Sequence, residues 1–415
     1  MKALILAGGF GTRLRPISST KPKPMVPVLG KPNLQYILEN LERIKEIDEI
    51  VISVHYMKAE VREFIDEKMT EYSKDIKYSV QPMPLETGGA IKNAEPLLLG
   101  EEDFLVIYGD VFTNFNFQEL MKAHSENDGL ITVALTKVYD PEKYGVAVLD
   151  EEGKITDFEE KPKRPKTNLV DAGIYMVNRK VLEAIPSGKE VYFEREILPK
   201  FVNEGQVYGH MMSKDKYWVD LGTPEDLFYA HQLALDEIAK ENGYFTVGEG
   251  AEVPEDVEIQ GPVYIDSGAK IGHGVKIKAY TYIGPKTIVE DKGYLKRAIL
   301  IGHDIIKERA EIKDSILGEG VVVGRNVILK EGAVVGDYAR IYDNLVIYGA
   351  KVLPWKKVEE YEAYIKIKLD PTKVRPELTP DRCPLGLPEC IYKKFKAIAG
   401  EKPPCDECIE NQWLF

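Results

Sequence analysis

Apolar and polar positions follow two different local patterns in the first part of the chain, over positions 1–235. Short apolar runs predict strands, and an apolar residue at every third or fourth position predicts helices. The predicted strands are 2–6, 50–55, 76–80, 104–108 and 131–136. The predicted helices between them are 34–44, 59–72, 87–98 and 117–125. This order predicts an α/β fold, a parallel or mixed sheet with helices on both faces, in which ligands bind at the carboxyl ends of the strands.

From about residue 245 the apolar period changes to six. Aliphatic residues recur in one phase at Val247, Val253, Ile259, Ile265, Ile271, Ile277, Ile283, Val289, Leu295 and Ile301. After a slip of three residues the phase continues at Ala310, Ile316, Val322, Ile328 and Val334, and after a slip of one at Ile341, Ile347 and Leu353. Such hexads predict a parallel β-helix with the aliphatic residues inside. We expect a loop insertion near 304–309 and a bulge near Asp337.

These patterns divide the chain into three parts, as expected for 415 residues, which exceed one ordinary core. We predict an α/β domain at 1–235, a β-helix at 245–355 and a tail at 356–415. In the tail, a helix over 356–367 leads into a Cys-containing segment. Because the end of a β-helix is an open edge, this tail is a candidate cap.

Composition narrows the classes of function. The net charge is −13 and no basic tract occurs, which argues against nucleic acid as a partner. No apolar run reaches the roughly 18 residues of a membrane helix, so we expect no membrane partner. The chain has no cysteine before Cys383, which suits a reducing cytoplasm.

The four cysteines lie close together near the end of the chain. Cys383, Cys390, Cys405 and Cys408 have the spacing C-x6-C-x14-C-x2-C. The second pair has a spacing common in structural Zn²⁺ sites, whereas the first pair does not. A zinc site, disulfides and free thiols all remain open.

A glycine-rich loop follows the first predicted strand. Its candidate phosphate-binding residues are Leu6, Ala7, Gly8, Gly9, Gly11 and Thr12. Glycines allow backbone N–H groups to approach phosphate oxygens, although a tight strand-to-helix turn would need them too. The loop fits neither dinucleotide-binding G-x-G-x-x-G, because Leu14 stands at the third glycine, nor a P-loop, because no Gly-Lys pair precedes Ser or Thr.

A rigid cationic segment follows the loop. In Thr20-Lys21-Pro22-Lys23-Pro24-Met25, prolines fix the backbone on both sides of Lys23, which with Arg13 is suited to bind a triphosphate. The motif Gly8-Gly9-Phe10-Gly11-Thr12-Arg13-Leu14-Arg15-Pro16, followed by Lys23-Pro24-Met25, resembles the N-terminal motif of the sugar-phosphate nucleotidyltransferases. The resemblance covers most of the chain. It implies a Rossmann-like catalytic domain followed by a left-handed parallel β-helix.

The resemblance implies roles for four residues. Arg13 and Lys23 would stabilise negative charge on the triphosphate, and Asp110 and Asp220 would bind Mg²⁺. The residues themselves favour the same roles, because Asp110 follows a strong apolar strand and carboxylates are preferred Mg²⁺ ligands. The alternative is that both aspartates cap helices.

Further segments resemble the base and sugar sides of such a site. Gln81, Glu86, Thr87 and Gly88 resemble the base-reading segment, with Glu86 where the family usually has Gly. Glu86 would accept two hydrogen bonds from guanine, or it is only the first-turn acid of a helix. Gly145, Glu160, Lys161 and Asp171 resemble the sugar-phosphate side, with Asp171 in place of Asn. Taken alone, the charged run Glu159-Glu160-Lys161 would by default be a solvated surface.

The resemblance implies an enzyme that joins a nucleoside triphosphate to a sugar-1-phosphate, closest to GTP and mannose-1-phosphate. Alternatives are glucose-1-phosphate uridylyl or thymidylyl transfer, a bifunctional acetyltransferase using His273 or His303, and a non-catalytic regulatory subunit. We expect the β-helix to serve a homo-oligomer without chemistry of its own. A fragment ending near residue 240 should then retain measurable transfer activity but lose stability and the native mass of the assembly.

Overall fold

The computed structural model describes residues 1–55, 57–68 and 72–359. Its α-helices are α1 (Asn33–Glu42), α2 (Lys58–Lys68), α3 (Glu86–Asn93), α4 (Glu95–Leu98), α5 (Phe117–Ser125), α6 (Leu198–Asn203) and α7 (Pro224–Asn242). The strands that precede α7 are β1 (Lys2–Leu6), β2 (Pro27–Val28), β3 (Lys31–Pro32), β4 (Glu49–Val54), β5 (Asp75–Val80), β6 (Asp103–Tyr108), β7 (Val111–Thr113), β8 (Ile131–Lys137), β9 (Gly145–Leu149), β10 (Ile155–Glu160), β11 (Leu169–Asn178), β12 (Val207–Met211) and β13 (Trp218–Asp220). Among the described residues, no helix combines the length and apolar character needed to cross a membrane.

A mixed sheet organises this first part of the chain. Its strand order is β10-β9-β11-β6-β1-β4-β5, and β8 pairs with both β11 and β12. The strands β6, β1, β4 and β5 are parallel to one another, whereas β11 is antiparallel to β6. The predicted mixed or parallel sheet is confirmed, and β9, β10 and β11 extend it beyond the predicted strands.

Both faces of the sheet are covered because its central strands are apolar on both sides. Ala3 and Ile5 of β1 pack in one core with α1, α2 and α5. Leu4 between them lies in a second core with α3, α4 and α6. This alternation follows from the two-residue period of a strand.

The helix predicted at 87–98 is two helices instead of one. The helix α3 ends at Asn93, and Ala94 separates it from α4. Pro96 lies in the first turn of α4, a position that proline accepts because no intrahelical N–H bond is needed there. A proline inside one long helix would have removed a hydrogen bond, so the chain starts a new helix.

Residues 245–358 form a parallel β-helix. Its strands are β14 (Phe245–Val247), β15 (Glu258–Ile259), β16 (Val263–Ile265), β17 (Lys270–Ile271), β18 (Lys276–Ile277), β19 (Thr281–Ile283), β20 (Ile288–Val289), β21 (Tyr294–Gly302), β22 (Ile305–Ile306), β23 (Glu311–Glu319), β24 (Val322–Val323), β25 (Ile328–Lys330), β26 (Val334–Val335), β27 (Arg340–Ile341), β28 (Val346–Tyr348), β29 (Lys351–Val352) and β30 (Lys357–Val358). One face consists of β17, β20, β22, β24, β27 and β30, and two others are joined through the long strands β21 and β23. All of their pairings are parallel, consistent with the expected left-handed β-helix.

The predicted inward positions are correct as far as Leu295, except Val247, which is exposed. Beyond Leu295 the prediction is correct at Ala310, Ile341 and Ile347 and wrong at Ile301, Ile316, Val322, Ile328, Val334 and Leu353. The buried core there contains Leu300, Ile306, Ile312, Leu317, Val323, Leu329, Val335, Ile341, Ile347, Val352 and Val358. Val322 and Ile328 are only half-buried, and Ile316 and Val334 are buried on the outside of the β-helix instead.

Shortened coils cause the change of phase. Ile277 pairs with Leu295, as a repeat of three hexads requires, whereas Ile283 pairs with Leu300 instead of Ile301. The coil that begins at Ile283 is therefore one residue shorter than the coil that begins at Ile277. The strand β21 runs through the corner where that residue is missing. The predicted insertion at 304–309 is therefore wrong, because these residues include β22, and the predicted bulge at Asp337 is a corner between β26 and β27.

The predicted helix at 356–367 is wrong at its start, because Lys357–Val358 forms β30. The rest of that helix and the four cysteines lie outside the described residues.

The β-helix packs against the α/β domain through a shared apolar core. From the first part of the chain it contains Leu14, Ile17, Val26, Val28, Phe112, Val219, Leu221 and residues of α7. From the β-helix it contains Tyr282, Ile299, Ile301, Ile316 and Val334. Burying such side chains stabilises the contact by roughly 1.5–3 kcal/mol each. The segment that carries Arg13 and Lys23 thus lies directly on the β-helix.

Candidate functional site

The glycine loop begins at the carboxyl end of β1. Gly8 lies against Gln81, because a Cβ at Gly8 would be 2.8 Å from Gln81 Nε2. Gly9 faces open space, and Gly11 has φ +61°, which favours glycine. The next turn, Thr12–Leu14, is a short 3-10 turn, so these glycines do not lead into an α-helix.

The other loop residues are placed at the same edge. Leu6 ends β1, and Ala7 donates its N–H to Ser53 O at 2.8 Å, which continues the pairing with β4. Thr12 and Arg13 are exposed. The loop therefore offers an open edge with accessible backbone beyond Ala7.

A two-stranded ribbon brings the predicted metal ligands together. Strand β7 begins immediately after Asp110, and β13 ends at Asp220, which pairs with Val111. Leu221 donates its N–H to Asp110 O at 3.0 Å. Neither aspartate caps a helix, because β7 follows Asp110 and Thr223 caps α7. The helix-cap alternative is therefore wrong.

Lys23 lies between these two carboxylates. Its Nζ donates to Asp220 Oδ1 at 2.9 Å and forms a shorter contact with Asp110 Oδ2. Its side chain is 10% exposed. Burial opposes the charge on Lys23, but the two carboxylates outweigh it and hold the pKa of Lys23 above its ordinary value. Lys23 is therefore a fixed cation at the carboxyl edge of the sheet.

Arg13, whose side chain is largely exposed, approaches one of these carboxylates, that of Asp220. Its Nη2 is 3.7 Å from Asp220 Oδ2, and its side chain is 65% exposed. Gly222 allows this approach, because a Cβ there would lie 2.9 Å from Arg13 Nη2. The structure thus joins Arg13, Lys23, Asp110 and Asp220 in one site.

The base-reading residues separate into two groups. Gln81 is buried, and its Nε2 donates to Ser53 Oγ at 3.0 Å, which orients the amide. Glu86 is exposed, with φ +57°, and its carboxylate near Tyr192 raises the pKa of the Tyr192 hydroxyl. A left-handed conformation costs a non-glycine residue roughly 1–2 kcal/mol, so the backbone at Glu86 would suit a glycine better.

Thr87 and Gly88 instead contact the segment around residue 193. Thr87 Oγ1 donates to Glu194 Oε2 at 2.8 Å, and Gly88 donates its N–H to Val191 O at 2.8 Å. A Cβ at Gly88 would lie 3.0 Å from Val191. Both polar groups already have partners in the chain, and their nucleotide contacts stay a prediction.

The sugar-side residues meet where β9 pairs with β10. Gly145 pairs directly with Glu160, and a Cβ at Gly145 would collide with Phe158. Lys161 follows with φ +51°, and its Nζ is 2.8 Å from Glu160 Oε1. The Lys161 side chain is 53% exposed, which leaves its ammonium group accessible.

Asp171 lies at a β-bulge in β11. The register with β8 shifts between Asp171 and Tyr175, and Gly173 within the bulge has φ +68°. Asp171 accepts from Gly173 N at 2.8 Å and from Tyr175 Oη at 2.5 Å. Burial raises the pKa of Asp171 to about 8, despite these hydrogen bonds. Near neutral pH its carboxyl group therefore retains a proton, as an Asn amide retains its hydrogens.

We expect Asp171→Asn to remove a pH dependence of stability. Folded Asp171 retains a proton that the unfolded chain releases near pH 4, so its contribution is complete below that pH and is lost as the pH rises to about 8. The loss amounts to about 1.4 kcal/mol per pH unit. Calorimetry from pH 5.5 to 8 should show the variant gaining stability relative to the wild type. A pH-independent difference between Asp171→Asn and the wild type would contradict the protonated state.

Two residues of this site were missed at the sequence level. Tyr108 Oη donates to Glu194 Oε1, and burial raises the pKa of both groups. The ring of Tyr108 lies 5.5 Å from that of Tyr175. Tyr108 could have been noticed as the neighbour of Gly109 and Asp110, but nothing local marks Glu194, which reaches the site through a π-helical turn, Phe193–Ile197.

The candidate acyl-transfer histidines lie on the β-helix and pair with acidic residues of the β-helix. His273 Nδ1 is 3.1 Å from Asp256 Oδ1, and His303 Nδ1 is 3.5 Å from Glu319 Oε1. Their side chains are 75% and 50% exposed, at corners of the β-helix. These contacts are ordinary surface pairs and favour no second activity.

Two family descriptions match the chain in succession. Residues 2–237 match the family described as nucleotidyl transferase. Residues 259–367 match the family described as GMPPB C-terminal domain.

Similar proteins extend over most of the chain. Mannose-1-phosphate guanylyltransferase 1 of Arabidopsis thaliana is 33% identical over 86% of this chain and 97% of its own length. A mannose-1-phosphate guanyltransferase of Aspergillus oryzae is 34% identical over 87% and 98%. A solved protein of Bacillus anthracis, assigned as a glucose-1-phosphate thymidylyltransferase, matches with a TM-score of 0.52 and 30% identity, over 56% of this chain and 95% of that chain.

Proposed function

The chain belongs to the nucleotidyl transferase family, and from this premise we propose that it joins GTP to mannose-1-phosphate, forming GDP-mannose and pyrophosphate. The observation that carries nucleotidyl transfer is the position of Lys23 between Asp110 and Asp220 at the glycine loop. The choice of guanine and mannose is supported by the names of the relatives, which state guanylyl transfer to mannose-1-phosphate. This chain matches those relatives over nearly their whole length.

The reaction needs charge neutralisation more than proton transfer. A phosphate oxygen of the sugar-1-phosphate attacks the α-phosphorus, a new P–O bond forms, and the bond to the β-phosphate breaks with release of pyrophosphate. Because the nucleophile is already anionic, catalysis depends mainly on alignment and on positive charge near the triphosphate. Lys23 and Arg13 supply that charge, each next to a different oxygen of the Asp220 carboxylate.

The residues present fit a divalent cation. The carboxylates of Asp110 and Asp220 converge on one cation, the Lys23 ammonium group, and carboxylate oxygens are the ligands that Mg²⁺ prefers. Family members typically use a divalent metal, and we propose that these two aspartates hold Mg²⁺. Bound there, the ion would supply further positive charge to phosphate oxygens.

The sugar-phosphate side consists of Gly145, Glu160, Lys161 and Asp171. Glu160 is 14% exposed and accepts hydrogen bonds, which suits sugar hydroxyls. Lys161 supplies an accessible charge for the sugar phosphate. A protonated Asp171 would present the same mixed donor and acceptor character as the usual Asn.

Glu86 is proposed to recognise guanine, whose N1–H and N2–H groups suit a carboxylate. We expect Glu86→Gln to reduce the preference for GTP over ITP, which lacks the 2-amino group, by about 10-fold. The ratio of kcat/KM for the two nucleotides measures this. Glu95→Gln at the start of α4 is the matched control, because Glu95 is also a first-turn acid. An unchanged ratio would leave Glu86 as a helix-start acid only.

We propose that the chain consists of an α/β domain at 1–235, a β-helix and a C-terminal tail, with the β-helix boundary moved from 355 to 358 because β30 belongs to it. We also propose a homo-oligomer assembled through the β-helix. A structural Zn²⁺ at the four cysteines and a cytoplasmic location stay predictions from the sequence.

The test is pyrophosphate release with a matrix of four nucleoside triphosphates and several sugar-1-phosphates. We expect the highest kcat/KM with GTP and mannose-1-phosphate. A preference for UTP or dTTP with glucose-1-phosphate would replace the proposed substrates but keep the reaction. No release with any pair would show a non-catalytic protein instead.

A further inference from the structure

The segment at residues 20–25, which carries Lys23, is hydrogen-bonded to one carboxylate of the β-helix, that of Asp337. Lys21 Nζ and Thr20 Oγ1 each donate to Asp337 Oδ2 at 2.5 Å, between parts of the chain that are far apart in sequence. The side chains of Lys21 and Asp337 are 16% and 2% exposed. A buried ion pair of this kind is held in one geometry, unlike an exposed one.

Asp337 is itself fixed within the β-helix. Its Oδ1 accepts the N–H of Glu319 at 2.9 Å. Gly318 leaves the space for its side chain, because a Cβ there would overlap Asp337 Oδ1. The position of Asp337 Oδ2 is therefore set by the coils of the β-helix.

The segment between Asp337 and the site is stiff. Only Pro22 separates Lys21 from Lys23, and Pro22 and Pro24 restrict the backbone around Lys23. Met25 donates its N–H to Pro22 O at 2.8 Å, which closes the 3-10 turn Lys23–Met25. A displacement of Lys21 is thus transmitted to Lys23.

The glycine loop packs against the same segment, around Lys23. Ser18 Oγ donates to Gly11 O at 2.6 Å, and a Cβ at Gly11 would lie 3.2 Å from Lys23 Cβ. Leu14 and Ile17, between the loop and Lys21, are fully buried in the core shared with the β-helix. Arg13 and Lys23 therefore belong to one packed segment, residues 11–25, which contacts the β-helix through Leu14, Ile17 and Lys21.

We propose that Asp337 is a positioning residue for the transfer reaction, which orients Lys23 between Asp110 and Asp220 through its hydrogen bonds to Lys21 and Thr20. This rests on the proposed nucleotidyl transfer. The β-helix then contributes to catalysis without touching a substrate. The contact made by Asp337, at a corner of the β-helix, sets the position of the Lys23 ammonium group.

The test compares Asp337→Asn and Lys21→Met with a matched control. Asp304→Asn is that control, because Asp304 is an equally buried β-helix aspartate that accepts the N–H groups of Gly302 and Val321, both within the β-helix. We expect each of the two test variants to lower kcat by about 10- to 100-fold, while KM for the sugar phosphate changes by less than about 3-fold. Asp304→Asn should lower only the thermal midpoint.

Three further measurements separate positioning from structural support. The double variant Lys21→Met/Asp337→Asn should be no slower than either single variant, and Lys21→Arg should restore most of kcat. In a Lys23→Met background, Asp337→Asn should have no further effect on kcat, because the residue acts through Lys23.

The outcomes are distinct. If both test variants keep wild-type kcat, or if KM rises in proportion as kcat falls, Asp337 only stabilises the domain contact and the inference is wrong. If Asp337→Asn does not fold, Lys21→Met decides, because it substitutes no residue of the β-helix. A wild-type protein without transfer activity would contradict the proposed function, whatever the variants do.

Discussion

Asp110→Asn and Asp220→Asn are each expected to lower kcat by roughly 10²–10⁴-fold while the protein stays folded. Asparagine keeps the size and the hydrogen-bonding shape of each side chain but removes one negative charge. Both carboxylates face Lys23 Nζ, so each change weakens the centre that is proposed to hold both Lys23 and Mg²⁺. Steady-state rates over a range of Mg²⁺ concentrations measure the effect.

The control for these variants is Asp215→Asn. Asp215 is 72% exposed, and its carboxylate pairs with Lys216. It should keep wild-type activity and wild-type Mg²⁺ dependence. If Asp110→Asn or Asp220→Asn retained activity within about 3-fold of the wild type, the metal assignment would be wrong.

Lys23→Met and Lys161→Met are expected to have opposite kinetic signatures. Lys23 is buried between carboxylates and meets charge that grows on the triphosphate, so its loss should lower kcat by about 10²–10³-fold with little change in KM for the sugar phosphate. Lys161 is exposed beside Glu160 and would hold the phosphate of the bound sugar. Its loss should raise that KM by about 10- to 100-fold and affect kcat less.

Lys166→Met is the matched control. Lys166 is 65% exposed and pairs with Asp157, which lies on β10, the strand that also carries Glu160. Both kinetic constants should stay near the wild-type values. Equal defects in kcat for Lys23→Met and Lys161→Met would contradict the separate roles of the two lysines.

The structure also changes the expectation for a truncated chain. A fragment ending near residue 240 was expected from the sequence to retain transfer activity. Such a fragment would expose Leu14, Ile17 and Val26, which are buried against the β-helix, and would lose the contact of Lys21 with Asp337. We therefore expect a fragment with little activity and low stability.

The sequence by itself was sufficient for the features that depend on local exposure. A strand shows its buried face at every second position, so β1, β4, β5 and β6 were predicted within one or two residues. The hexads predicted the β-helix, because each coil repeats the same inward position. The motif residues Arg13, Lys23, Asp110 and Asp220 were identified by their order along the chain, in a pattern that resembles a family.

Tertiary structure alone decided which distant residues meet. The pairing of β7 with β13 joins Asp110 to Asp220, which are far apart in the chain, and no local pattern encodes that register. The coil that begins at Ile283 is one residue shorter than the coil that begins at Ile277, and this shifts the inward phase after Leu295. At the corner where the residue is missing, the chain continues as the single strand β21. Glu194 and Asp337 look like ordinary surface acids in the sequence. Asp337 is buried and Glu194 is partly buried because elements far apart in the chain meet there. The burial of a charged residue depends on the partner that folding brings to it.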